Sequence, residues 1–219
     1  MARLPRWVLP GGLHYVLLKA QAGRPAFADE TDVAQGLVAL REAALLHKVA
    51  VHGFAMNTQE LQLLLTPPET AALSLCMQAF GRRYVAAYNR RHGCSGPLWD
   101  GRFRCAVVQP GEWALDALLL VASQPGHTHA AHHSGGARVG LLTDPPDYWA
   151  LGNTPFDREA RFRDRLEAGV AASRAQRLRQ GAWGGWAVGE PAFVAALQAD
   201  ADRPVKPRAK GRPAKPAPK

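Results

Sequence analysis

The sequence predicts an α+β fold: a ferredoxin-like, four-stranded antiparallel sheet with packed helices, then a small C-terminal helical appendage and a disordered basic tail. Three observations lead there. Residues 1–125 alternate β-favouring runs and helical stripes in the order strand, helix, strand, strand, helix, strand, helix. The texture then shifts to a small-residue, His-rich stretch from Gly126 to Gly140. Residues 203–219 hold seven Lys or Arg and no acid. The implied organisation is a first domain over 1–125, a loop or linker over 126–147, helices over 148–202 and the tail over 203–219.

Each element has a local cause. Leu13 to Lys19, with Tyr15-Val16-Leu17-Leu18, reads as a strand after the Gly11-Gly12 turn. Asp29 to His47 repeats apolar residues at Val33, Leu37, Leu40, Ala44 and Leu45, a helical stripe with acids near its positive N-terminal end. Val49–Met56 and Leu61–Thr66, separated by polar residues, form a hairpin of pleat-favouring residues. Pro67-Pro68 stops it, and Glu69 to Arg91 carries Leu73, Met77, Phe80, Tyr84 and Tyr88 near helical spacing. A Gly-rich loop leads through Trp99 to a fourth strand, Phe103–Val108, and Glu112–Ser123 is a very apolar third helix. Thr154-Pro155-Phe156-Asp157 supplies an N-cap, a proline at N1 and an early acid for a helix to about Gly169. Ser173–Gln180 and Pro191–Leu197 are candidate short helices around Trp183 to Gly189.

Composition narrows the class. A chain of 219 residues, 47% hydrophobic and 21% charged, can bury one good core. No stretch approaches the ~18 uncharged apolar residues of a membrane span, and the first residues lack a signal peptide's apolar run, so no membrane partner and a cytoplasmic location are expected. Cys76, Cys94 and Cys105 are odd in number and far apart, which suggests neither disulfides nor a zinc knuckle. The net charge is +9, but the seven tail cations leave only +2 on residues 1–202.

Several stretches together resemble the REP-associated tyrosine transposases, single-tyrosine relatives of insertion-sequence transposases in the HUH class of single-strand DNA nucleases. They are Met1–Val8 with Pro10-Gly11, Tyr84–Gly93, Gly96-Pro97-Leu98-Trp99-Asp100-Gly101-Arg102-Phe103-Arg104, and Tyr148–Phe156 with Asp157-Arg158-Glu159. Gly185-Trp186-Ala187-Val188-Gly189 and the basic ending follow the same pattern. The likeness spans nearly the whole chain, and it implies the ferredoxin-like fold and DNA transposition chemistry.

In that family two histidines one residue apart on a central strand hold a divalent metal, and a tyrosine on a later helix attacks the DNA phosphate. Counting from Leu63-Leu64-Leu65, the histidine positions fall on Glu60 and Gln62. Counting from Gln124-Pro125, the tyrosine position falls on Leu120, and Gln124 stands where a third polar ligand belongs. Leucine cannot attack phosphorus, so no catalytic residue is assigned. Glu60, Gln62 and Gln124 remain as a degenerate metal set, with magnesium or manganese as the cofactor only if activity survives.

The run His127, His129, His132, His133 has no cysteine or acid nearby and departs from the family's segment, which reads as sequence drift. DNA contact inside the fold is assigned to Arg82, Arg83, Tyr88, Asn89, Arg90, Arg91, Trp99, Arg102 and Arg104, arginines for phosphates and aromatics for unpaired bases. In the tail, Lys210 and Arg212 flank Gly211 as in an AT-hook, which lies in the minor groove of A·T-rich duplex. The expected partner is single-stranded or hairpin DNA, with monomer and homodimer both open. Three readings follow: a binding protein that no longer cuts, a metal-dependent transesterase with a relocated nucleophile among Tyr15, Tyr84, Tyr88 and Tyr148, and a decaying product without a role.

Overall fold

The computed structural model describes residues 6–207. Five strands form one antiparallel sheet in the order β4-β1-β3-β2-β5: β1 Leu13–Lys19, β2 Ala50–Met56, β3 Glu60–Thr66, β4 Arg104–Val108 and β5 His127–Thr128. The first four, with α1 (Glu30–Leu46) and α2 (Ala72–Arg91), make the ferredoxin-like βαββαβ unit. α1 begins where expected because the Asp29 carboxylate accepts from the amides of Thr31 and Asp32.

Strand alternation divides the core in two. Val16 and Leu18 of β1 with Leu61, Leu63 and Leu65 of β3 face α1 and α2, around the rings of Phe27, Phe80, Tyr84 and Trp99. Tyr15 and Leu17, with Leu64, Ala55, Ala106 and Val108, face the other way, onto α3 (Glu112–Ala122). The apolar surface of α3 is thereby used: nine of its eleven residues are buried, among them Leu118, Leu119, Leu120 and Val121.

The segment expected to be a loop is built. Gly126, at φ +96°, lets the chain turn back so that His127–Thr128 pairs with the β2 edge; a Cβ there would lie 2.5 Å from the Met56 carbonyl oxygen. A short helix α4 (Ala130–His133) follows, and α5 (Pro146–Trp149) leads to α6 (Pro155–Ala168). α6 opens as its sequence predicts, Thr154 Oγ1 accepting from the Asp157 amide with Pro155 at N1.

The C-terminal region packs on the sheet. α7 (Ala172–Gly184) packs on β4, β1 and α3, burying Leu178 and Ala182 in the second core, so it shares the cover of that sheet face with α3. Close approach requires Gly181, whose Cβ would stand 2.1 Å from Val188 Cγ2. Val188 in turn bridges Val108 in parallel at the outer edge of β4, and α8 (Pro191–Asp200) follows. No helix among the described residues is long and apolar enough to cross a membrane.

Candidate functional site

The pleat sends Glu60, Gln62 and Leu64 to the same face of β3, the face under α3. α3 ends just above, and Gln124, one turn beyond Leu120, hangs over the strand. The three polar residues singled out by the sequence meet here: Gln62 Nε2 donates to Glu60 Oε1 and, at 3.1 Å, to Gln124 Oε1. Leu120 is 7% exposed, and its carbonyl accepts from Gln124 Nε2 at 2.7 Å.

Two further residues complete the cluster. Tyr15, directly below on β1, donates its hydroxyl to Gln62 Oε1 at 2.7 Å, with both side chains fully buried. Arg179 of α7 reaches in from the other side, its guanidinium donating to Glu60 Oε1 at 3.3 Å and to Gln124 Oε1 at 2.5 Å. The result is a closed polar network, Tyr15–Gln62–Glu60–Gln124–Arg179, in which the positive charge belongs to an arginine. Burial pushes the Tyr15 phenol well above its ordinary pKa; the Arg179 charge pulls it back only in part, and the Glu60 carboxylate adds to the rise.

The sequence pointed to Tyr15 only as one of four tyrosines and did not point to Arg179. α7 carries Arg174, Arg177 and Arg179, each with its own partner. Arg174 pairs with Asp116, Arg177 donates to the Gly189 carbonyl at 2.7 Å, and Arg179 enters the network.

The expected DNA-contact residues divide into three sets. Tyr88 and Trp99 are 4% and 8% exposed and belong to the aromatic cluster between the sheet and α2, so their faces are already packed inside the protein. Arg91 bridges Asp29 and fully buried Asp32, each at 2.6 Å, and Arg83 pairs with Glu42 of α1. Asn89 donates to the Gly96 carbonyl at 3.0 Å, fixing the Gly-rich loop. Arg82, Arg90, Arg102 and Arg104 are exposed, and among the described residues none of them has an ion-pair partner. Arg82 and Arg90 lie on α2, whereas Arg104 shares the opposite sheet face with Ala106 and Val108. Lys210 and Arg212 lie outside the described residues.

Three of the four histidines of the run are buried, in a segment of strand and short helix rather than a loop, while His127 is half-exposed. His129 and His133 are fully buried and His132 is 6% exposed. His132, His133 and Asp144 bring potential metal-ligand atoms within 4.8 Å of one another. The hydrogen bonds of His132 and of neighbouring His129 have a structural role, while both ring nitrogens of His133 are buried without a hydrogen-bond partner. The Val139 amide donates to His132 Nδ1 at 3.0 Å, which leaves the ring proton of neutral His132 on Nε2, donated to Asp144 at 3.1 Å. His129 fills the space left by the missing side chain of Gly53, its Nδ1 within 3.1 Å of both backbone polar groups of Phe54. The cluster thus fastens the 126–144 segment to the β2 edge.

No family model and no curated protein matches the sequence. The chain is similar to a solved structure of a REP-associated tyrosine transposase bound to a REP hairpin, with 10% identity and a TM-score of 0.48, covering 67% of this chain and 93% of that one. It is also similar to a putative transposase from Deinococcus radiodurans R1, with 20% identity and a TM-score of 0.37, covering 50% of this chain and 88% of that one.

Proposed function

We propose that this protein is a transposase-family DNA-binding protein that recognises single-stranded or hairpin DNA and does not cut it. The observation that carries this reading is the convergence of Glu60, Gln62 and Gln124 under the end of α3, one turn beyond Leu120. The three polar positions were assigned from sequence resemblance alone, as metal ligands. Their meeting at one point, under the end of α3, agrees with that assignment.

The same geometry supports the loss of cleavage. Magnesium or manganese needs six or so oxygen donors. Here one Glu60 oxygen and the Gln124 oxygen accept from the Arg179 guanidinium, and the Gln62 oxygen is taken by Tyr15. That donor set does not fit a divalent ion. Leu120 offers no nucleophile, and Tyr15, the tyrosine within the network, is fully buried with its proton committed to Gln62. A phosphate cannot reach that hydroxyl without dismantling the sheet face. Arg82, Arg90, Arg102 and Arg104, exposed and without an ion-pair partner among the described residues, are cations open to a nucleic-acid backbone.

The test is an electrophoretic shift with labelled hairpin, single-stranded and blunt duplex oligonucleotides taken from the flanks of the protein's own gene. The reading expects hairpin and single strand to shift at lower protein concentration than duplex. Equal affinity for all three, or no shift at low salt, contradicts it.

A further inference from the structure

Beside the polar network lies a second concavity with a different chemistry. A cavity of about 220 Å³ opens between the end of α7 and the start of β4, where Arg6, Arg102, Arg104 and Arg203 converge with Phe103 and Trp183. No acid lines it, and among the described residues none of the four arginines forms an ion pair.

Three of the four cations are held in place by something other than a carboxylate. Arg6 lies over the Phe103 ring at 3.7 Å and donates through Nε and one terminal nitrogen to the Phe103 carbonyl, at 3.1 and 3.0 Å. Arg203 donates to the Gly185 carbonyl, while its Nε is buried with no acceptor. The guanidinium of Arg104 sits 5.6 Å from the ring centre of Trp183, which is 44% exposed. Burial and the like charges of Arg102 and Arg104 hold the Arg6 pKa below its ordinary value, a repulsion that a bound anion relieves.

Four guanidiniums around a small space suit a phosphate group, since each presents planar donors to its oxygens. The exposed indole alongside suits the flat face of a base. The sheet register adds a relationship to the first site: Arg104 pairs with Leu17 of β1, and Leu17 with Gln62 of β3. Residues in register share a face, so Arg104 and Gln62 are two strand spacings apart, roughly 10 Å, on one surface. α7 spans the gap, with Arg179 over one site and Trp183, one turn later, at the other.

We propose that this cavity binds a nucleotide, its phosphate held by Arg6, Arg102, Arg104 and Arg203 and its unpaired base laid on Trp183. The site deepens the DNA-binding reading by giving one unpaired nucleotide of the strand a place next to the polar network. The recognised chemistry, one phosphate with one base, is shared by a free nucleotide and a strand.

The test uses the full chain, titrated calorimetrically with inorganic phosphate, dTMP and single-stranded dT8. The expected order is dT8 tighter than dTMP and dTMP at least fivefold tighter than phosphate. Arg203→Ala and exposed Arg102→Glu are each expected to weaken dT8 and dTMP at least tenfold. Trp183→Ala is expected to weaken both nucleotides while leaving phosphate unchanged. Arg102 lies on the surface, so its variant reports on the site even if Arg203→Ala fails to fold. Binding of dT8 without dTMP assigns the site to a strand, and similar affinity for the two assigns it to a free nucleotide; both support a nucleotide site. Undiminished dT8 binding by folded Arg102→Glu and Arg203→Ala overturns the pocket while the DNA-binding reading stands. Binding of dTMP alone, with no affinity for hairpin or single strand, retains the pocket and overturns the DNA-binding reading.

Discussion

Arg179 of α7 and Glu60 of β3, 119 residues apart in the chain, meet with the guanidinium 3.3 Å from the carboxylate oxygen, and Gln124 is bound to the same guanidinium. The cation of this polar cluster is therefore supplied by the fold. Arg179→Met is expected to lower stability by about 1–2 kcal/mol, a modest figure because the arginine side chain is 37% exposed. Thermal denaturation of the two proteins checks it, and an unchanged midpoint contradicts the network.

Arg91 has a structural assignment that its place in a basic run does not suggest. It is bonded to Asp32, whose carboxylate is fully buried, so Arg91→Ala leaves that carboxylate, among the described residues, with His92 and the Ala28 amide. A loss of about 2–3 kcal/mol is expected, with DNA affinity of the remaining folded protein within twofold of the parent. Arg90→Ala is expected to show the reverse, full stability with a salt dependence of binding lowered by about one ion. Matched urea melts and binding titrations separate the two.

Gly181 is the contact that lets α7 lie against the outer edge of the sheet. Gly181→Ala places a methyl group 2.1 Å from Val188 Cγ2, and a loss of about 1–3 kcal/mol is expected from overpacking. Because α7 carries both Arg179 and Trp183, the same variant is expected to reduce DNA binding. A protein of parental stability and affinity contradicts the position given to α7.

Buried histidines make the fold acid-sensitive. Burial lowers the pKa of His14 to about 4, of His129 to about 4 and of His133 to about 2. The folded values lie below the unfolded value of about 6.5, so the unfolded chain takes up the protons first. Stability is full above about pH 6.5 and falls as the pH drops toward 4, by about 3 kcal/mol for each ring whose folded value is near 4. Urea midpoints at pH 7.5, 6 and 4.5 are expected to fall in that order, and a flat profile contradicts the neutral, buried state of these rings.

Much of the fold was legible because its signals are local. The β-branched and leucine runs of β1 to β4, the stripe from Leu73 to Tyr88 and the Thr154-Pro155 cap each determine a short stretch without outside help. The second sheet face was not, since α7 is recognised as a cover for β4 only through Gly181 and Val188, which touch in space. His129 and His133 looked like drift because a histidine's burial depends on its partner, here the side-chain-free surface of Gly53 and the ring of Tyr148. The same holds for the site. Glu60, Gln62 and Gln124 were found by resemblance, but nothing in Arg174, Arg177 and Arg179 tells which of the three turns inward. Tyr88 and Trp99, assigned as stacking surfaces for unpaired bases, are core residues: Tyr88 lies on the face of α2 that packs on the sheet, and Trp99 is folded in from the loop before β4, where it bridges Ala20 at the end of β1.

The central claim is binding without cleavage, and a single denaturing gel tests it most directly. The protein is incubated with end-labelled hairpin oligonucleotides from the flanks of its gene, with magnesium or manganese, at concentrations that give a full mobility shift. Intact oligonucleotide and no label travelling with the denatured protein is the result expected from Leu120 and the Arg179-filled cluster. A metal-dependent nick with a covalent protein–DNA adduct, abolished by Tyr15→Phe or another tyrosine substitution, contradicts it.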